Sequence, residues 1–264
     1  MGWLAIAIIL GLVEGVTEFL PVSSTGHLVL AGHLLGFRGE LAGSFEIFIQ
    51  LGAIAAVVFA FPGRFARLLD IRARSGFAGF RGLWFLALTT VPGLVAGVFA
   101  HGAIKEHLFT PANVAIGLAV GGVWIILVER FVPLPESTSV DSMSWRQALA
   151  IGCFQCLALW PGMSRSAATI LGAMMVGLDR RSAAEYSFFA AVPMLLAACG
   201  YDLFRSGGAL TGQDVPMFAV GLLTSFVSAW VAVGYLVRFV TRRTLDVFGW
   251  YRLAVAGMVV LLLR

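Results

Sequence analysis

Charge is scarce in this chain. Asp, Glu, Lys and Arg together make up 12% of the residues against 59% hydrophobic, and the mean hydropathy is +0.93. A soluble domain carries about 25% charged residues, so a water-soluble fold is excluded and the sequence reads as an integral membrane protein. Lysine is nearly missing: of 18 basic residues only Lys105 is Lys. The net charge of +4 comes from dispersed Arg, with no run dense enough to track a nucleic-acid backbone, so no nucleic-acid partner is expected. Cysteine is sparse too. Cys153, Cys156 and Cys199 sit in apolar segments, and no thioredoxin-like strand pattern surrounds the redox-like spacing of the first two; all three read as helix packing. A basic stretch and a small-residue cleavage site are both lacking ahead of Glu14, so a removable signal peptide is not expected.

What is abundant is apolar sequence, in ten segments near 3–20, 27–36, 45–61, 83–100, 113–129, 147–160, 166–177, 184–200, 217–240 and 249–263. A spanning helix needs about 17–25 residues, which leaves 27–36 and 166–177 too short to cross. Each short segment follows a Pro-containing polar tip, Pro21 or Pro161, where one helix stops and another starts. The expected fold is therefore all-α and polytopic: one membrane domain over 1–264, with six spanning helices and two re-entrant helix hairpins. Irregular backbone at that depth must face protein or a water-filled cavity, so the two tips are expected to share one. Hairpin and three helices occur twice, which suggests inverted repeats over about 1–130 and 145–264. Aligning the prolines sets Ser24 against Ser164 at an offset of 140. Loops 62–82, 130–146, 178–183 and 238–252 hold thirteen of the eighteen basic residues, and the positive-inside rule then places both termini outside and the first hairpin open to the outer face.

The two tips carry the chemistry. Glu14 and Glu18 are four apart on one helix face, where ionised carboxylates in lipid repel unless a cation or a shared proton relieves them. Two hard oxygen ligands beside a phosphate suit Mg²⁺ or Ca²⁺; the structural alternative is a protonated Glu bonded within the bundle. After Pro21 come Ser23, Ser24, Thr25, Gly26 and His27. Capping explains one hydroxyl, whereas three hydroxyls, a Gly and a His at a helix N-terminus make a phosphate site with a nucleophile and a proton-transfer group. The second tip, Pro161-Gly162-Met163-Ser164-Arg165-Ser166, adds a guanidinium whose planar fork suits phosphate oxygens, with Thr169 one turn on; pairing of Arg165 with Glu14 or Glu18 is the structural alternative. Glu46, Gln50 and Glu185 are weaker candidates, and Glu185 beside Arg180 and Arg181 reads equally as a surface ion pair.

The run from Glu14 to His27, with Pro161 to Ser166, Phe45 to Gly52 and Ile151 to Pro161, closely resembles the undecaprenyl-diphosphate phosphatase, or bacitracin-resistance, family over the whole chain. Ala167 stands where that family is expected to have Gly. The resemblance implies removal of the terminal phosphate of undecaprenyl diphosphate in the bacterial inner membrane, recycling of the lipid carrier, divalent-metal dependence and bacitracin resistance. Carried onto these residues, it points to Ser24, His27 and Glu18 as catalytic, with Ser24 the preferred nucleophile and His27 its proton-transfer partner; the reverse and a metal-bound water stay open. Ser23, Thr25, Gly26, Ser164, Arg165, Ser166 and Thr169 would bind substrate, and Glu14 with Glu18 would hold the metal. The expected partners are a polyprenyl diphosphate and membrane lipid, with homodimerisation open. The rival reading is a transporter or flippase of a polyprenyl phosphate lipid, because inverted repeats with broken helices also build transporters.

Overall fold

A computed structural model describes residues 2–73, 75–108, 110–206 and 214–262; the side chains of 40, 101, 103–107 and 202–206 are not among those described. Eleven helices follow in order: α1 (Trp3–Thr17), α2 (Ser24–Leu35), α3 (Glu40–Ala60), α4 (Pro62–Leu69), α5 (Gly79–His107), α6 (Pro111–Phe131), α7 (Trp145–Gln155), α8 (Arg165–Met175), α9 (Arg180–Ser206), α10 (Val215–Val240) and α11 (Asp246–Leu262). A 3-10 turn, Cys156–Leu159, extends α7, and the described residues contain no strand. Each of the ten apolar segments overlaps a helix. The sequence missed α4, which is too short and too charged to register as apolar.

Local chemistry sets the boundaries. Pro62 and Pro111 open α4 and α6 at the first helical turn, and Thr110 caps α6 by accepting from the Asn113 amide at 3.2 Å. Ser144 and Gln147 form a reciprocal capping box on α7, which satisfies two amides that helical bonding leaves free. Five helices, α3, α5, α6, α9 and α10, are long and apolar enough to cross a membrane. The sixth expected span is α11, whose 17 described residues sit at the short end of the range. At 15, 12, 11 and 11 residues, α1, α2, α7 and α8 are too short to span alone.

Between lipid-facing helices there is little hydrophobic drive, so close packing depends on small residues that let backbones approach. A Cβ on Gly11 of α1 would lie 2.6 Å from the Gly221 carbonyl of α10, and one on Gly152 of α7 would lie 2.7 Å from the Leu88 carbonyl of α5. Helix α6 packs on α11, where a Cβ on Gly122 would meet the Gly249 carbonyl at 2.8 Å, and α3 packs on α9 through the middle. Phe19, Phe188, Phe189, Tyr186 and Phe77 form a buried aromatic column beside the tips.

At one end of the bundle the basic loops are tied by ion pairs. Arg64 bridges Asp141 at 2.8 Å and Glu185 at 3.1 Å, and Arg180 pairs with Glu129 at 2.6 Å. Glu185 is thus a structural ion pair, with Arg64 as its partner in place of Arg180 or Arg181. Partial burial alone would raise the Asp141 carboxyl, but hydrogen bonds from Arg64 and the Phe77 amide hold it below the usual carboxylate range.

Candidate active site at the two helix tips

Both tips turn on one strained residue. Ser23 (φ 73°, ψ 94°) and Ser164 (φ 71°, ψ 119°) are the only non-glycine residues with positive φ among those described. Each caps the helix behind it: Ser23 Oγ accepts from the Gly26 amide at 3.3 Å and Ser164 Oγ from the Ala167 amide at 3.2 Å. Such backbone costs about 1–3 kcal/mol and persists where the surroundings over-determine it. The caps lie 141 residues apart (164 − 23), and the same offset pairs Gly11 with Gly152 and Glu14 with Gln155. Measured from the caps the offset is 141 and from the prolines 140, because Pro161 stands three residues before its cap and Pro21 only two. At the cap offset Ser24 falls on Arg165.

These two residues meet on Glu18. The Ser24 hydroxyl donates to Glu18 Oε2 at 2.5 Å, while Arg165 donates from Nη2 at 3.2 Å and Nε at 3.4 Å to Glu18 Oε1. Arg165 also donates from Nη1 to the Ser187 carbonyl at 3.1 Å, and its guanidinium lies over the Phe19 ring. Glu18 and Arg165 are 6% and 9% exposed, so their attraction acts in a poorly screened interior. They open onto a cavity of about 100 Å³ lined by Glu18, Ser23, Ser24, Thr25, Gln50, Ser164 and Arg165, with Trp160, Pro161 and Leu195 among its walls. By this measure a single water needs about 10–15 Å³, so several waters or a phosphoryl group fit. The shared polar cavity expected from sequence is present, and Gln50, a weaker candidate, faces it.

Other candidates point elsewhere. His27 Nδ1 lies 2.7 Å from the Ser23 carbonyl and Nε2 lies 2.8 Å from the Tyr251 hydroxyl. A carbonyl only accepts, so Nδ1 carries the proton and Nε2 accepts from Tyr251. With both nitrogens engaged and the ring stacked on Tyr251, His27 does not bond Ser24, and the expected Ser24–His27 pair is replaced by Ser24–Glu18. Ser166 donates to the Leu20 carbonyl at 2.8 Å, fastening one tip to the other. Thr169 bonds the Arg165 and Ser166 carbonyls and lies 2.6 Å from the Ser187 hydroxyl. Neither lines the cavity, because their hydroxyls are used up holding backbone. Gly26 also turns away, toward Leu118 of α6, which a Cβ would approach at 3.3 Å.

Glu14 is fully buried, and neither carboxylate oxygen has a hydrogen-bond partner. Glu18, Glu46 and Arg165 lie within its electrostatic reach. Two orphaned hard oxygens suit a divalent cation, whereas Glu18 has both oxygens engaged, and no group of three or more His, Cys, Asp or Glu side chains is gathered among the described residues. Glu14 thus offers two unpartnered oxygen donors, but it does not line the cavity, and the described residues do not form a ready two-glutamate site.

Sequence reading missed two neighbours on α11. Arg252 was counted within a basic loop, yet it is 0% exposed, which leaves twelve of the eighteen basic residues in those loops. Its guanidinium donates to five carbonyls: Leu118 and Gly117 of α6 at 3.2 and 3.1 Å, Pro21 of the first tip at 3.3 Å, and Gly162 and Met163 of the second at 2.7 and 3.0 Å. The available signal was a charge inside the apolar run 249–263, which at membrane depth marks function.

Residues 7–258 match the family described as bacitracin resistance protein BacA. The chain belongs to that family. Its relatives include undecaprenyl-diphosphatases of Nitratidesulfovibrio vulgaris, 56% identical, Maridesulfovibrio salexigens, 54% identical, and Solidesulfovibrio magneticus, 51% identical, each alignment covering 96% of both chains.

Proposed function

We propose that this protein is a multi-pass membrane undecaprenyl-diphosphate phosphatase that releases inorganic phosphate, returns the carrier lipid to cell-wall synthesis and so counters bacitracin. The observation that carries the chemistry is the Ser24–Glu18–Arg165 chain of hydrogen bonds opening on the cavity. Ser24 Oγ attacks the terminal phosphorus as its proton passes to Glu18. The bond from that phosphorus to the bridging oxygen breaks and undecaprenyl phosphate leaves. Glu18 gives that proton to the departing phosphate oxygen and, a carboxylate again, takes one from a water whose oxygen attacks the phosphoserine phosphorus. The bond to Ser24 Oγ breaks, the proton returns to that oxygen and phosphate is released. Arg165 offers its fork to the phosphoryl oxygens, with the cap amides of both tips and the Ser23, Thr25 and Ser164 hydroxyls around it, so charge is met by donors already in place. His27 holds Ser23 in its strained conformation, and Gly26, Ser166 and Thr169 shape the tips. A divalent cation at Glu14 would neutralise further phosphate charge.

Six spanning helices with two re-entrant hairpins in inverted repeats form the architecture of this reading. Two observations support it: the matched caps 141 residues apart, and α1 lying on α10 as α7 lies on α5. An outward-opening cavity in the inner membrane is supported by Trp160, a cavity wall whose indole N–H donates to the Asn113 carbonyl at 3.0 Å. Asn113 begins α6, whose far end reaches the basic loops. An impermeant thiol reagent on intact cells, with native cysteines removed, should label Arg38→Cys and spare Arg72→Cys; the reverse pattern overturns the orientation. For the chemistry, purified protein is given a polyprenyl diphosphate, and phosphate release is followed with and without chelator. Release by wild type but not Ser24→Ala supports the reading; lipid translocation without release makes the protein a transporter.

A further inference from the structure

A buried guanidinium ordinarily answers a carboxylate, because an unpaired charge away from water is costly. Among the described residues Arg252 answers none: its five hydrogen bonds run to main-chain carbonyls, and these belong to α6 and the two tips. Three of those carbonyls, Pro21, Gly162 and Met163, sit where the tips break their helices and so lack helical donors, while Gly117 and Leu118 lie within α6 and anchor the guanidinium there. The fold makes room for this side chain. A Cβ on Gly121 of α6 would lie 2.0 Å from Arg252 Nη2, and one on Gly117 would lie 2.3 Å from the Pro161 carbonyl. The preceding residue, Tyr251, donates to His27, which holds the Ser23 carbonyl. Adjacent α11 residues thus reach the first tip by two routes and the second by one.

We infer that Arg252 is a positioning residue for phosphoryl transfer: it locks the two tips in register so that Ser24 and Arg165 converge on one phosphorus. This deepens the diphosphatase reading and rests on it. Arg252 touches neither the cavity nor Glu18, so it acts on catalysis only through the tip backbones. Loss of register affects alignment in the transition state more than ground-state binding, because lipid-tail contacts are untouched.

The test uses purified full-length protein, a short-chain polyprenyl diphosphate, and wild type, Arg252→Gln, Gly121→Ala and the double variant, with kcat, KM and Tm measured in one detergent. Both single variants are expected to stay folded at the assay temperature and to lose kcat, by roughly 100-fold in Arg252→Gln, with KM within about threefold of wild type. The double variant should be no slower than Arg252→Gln, since both changes break the same clamp. The inference is overturned by near-normal kcat in folded Arg252→Gln, by a loss expressed in KM alone, or by losses that multiply. If Arg252→Gln does not fold, the kcat and KM of Gly121→Ala decide in the same way. Failure of all variants to fold assigns Arg252 to the scaffold and also overturns it. Wild type that releases no phosphate would refute the diphosphatase reading instead, a distinguishable result.

Discussion

The two tips share a backbone and differ in chemistry. Each ends a short helix, places a Ser at positive φ and uses that hydroxyl to cap the next helix. One residue later the first tip presents Ser24 and the second Arg165, and both converge on Glu18, which only the first hairpin supplies. At the offset of 141 that separates the two caps, Glu18 falls on Leu159 and Glu14 on Gln155. Two similar breaks thus bring two helix N-termini to one point, while their side chains differ, and in the proposed reaction one tip is the attacking side and the other the charge-stabilising side. Two identical tips would set like groups against each other, which suits binding better than directional transfer.

The strongest way to break this comparison is to remove the attacking side. Ser24→Ala and Glu18→Gln should each lower kcat by about 10²–10⁴-fold, and the double variant should be little worse than either, because both remove one step. Multiplicative losses in single-turnover assays would separate the two residues and favour a water nucleophile. On the charge-stabilising side, Arg165→Lys keeps the charge but loses the planar fork, and a loss of about 10²–10³-fold in kcat is expected; turnover near wild type would reduce Arg165 to a partner of Glu18. Removing the divalent cation should slow wild type and leave Glu14→Gln comparatively indifferent. Equal chelator sensitivity in both would take the cation away from Glu14.

Smaller effects should come from the shared backbone. Ser23→Gly and Ser164→Gly relieve strain at positive φ while costing only a few tenths of a kcal/mol in capping. Each should raise Tm by a few degrees while lowering kcat, and a drop in Tm at either tip would show that strain is not stored there. The smallest effect belongs to the distant ion-pair end. Folding holds Asp141 below its ordinary value of 3.8, so its stabilisation is full above that value and is lost as pH falls through the folded one. Wild type should therefore melt above Asp141→Asn at pH 7, and the two should converge as pH drops below about 4; a constant gap would remove the ionised carboxylate as the cause.

The long helices were legible because apolar length reports on membrane crossing with little interference from context: α3, α5, α6, α9 and α10 all coincide with segments visible in the sequence. The tips were legible because Pro, hydroxyl residues and charge are expensive among apolar neighbours. The spacing of the two caps was not, since Pro21 and Pro161 lie 140 apart while Ser23 and Ser164, which share a backbone angle, lie 141 apart. His27 misled for a related reason: spacing along one helix shows that two side chains are near, but not that a carbonyl and a tyrosine from α11 have already taken both imidazole nitrogens.

By itself the sequence determined that this is a helical membrane protein, where its helices break, and that Glu14, Glu18 and Arg165 carry charge into the interior, because hydropathy and helix-breaking chemistry are local properties. Tertiary structure alone decided that Glu18 is shared by Ser24 and Arg165, that Glu14 is left with unpartnered oxygens, and that Arg252 lies behind both tips. Those outcomes depend on which buried donors and acceptors reach each other first across segments more than 100 residues apart, as Arg165 is from Glu18 by 147 positions, and no local pattern encodes that competition.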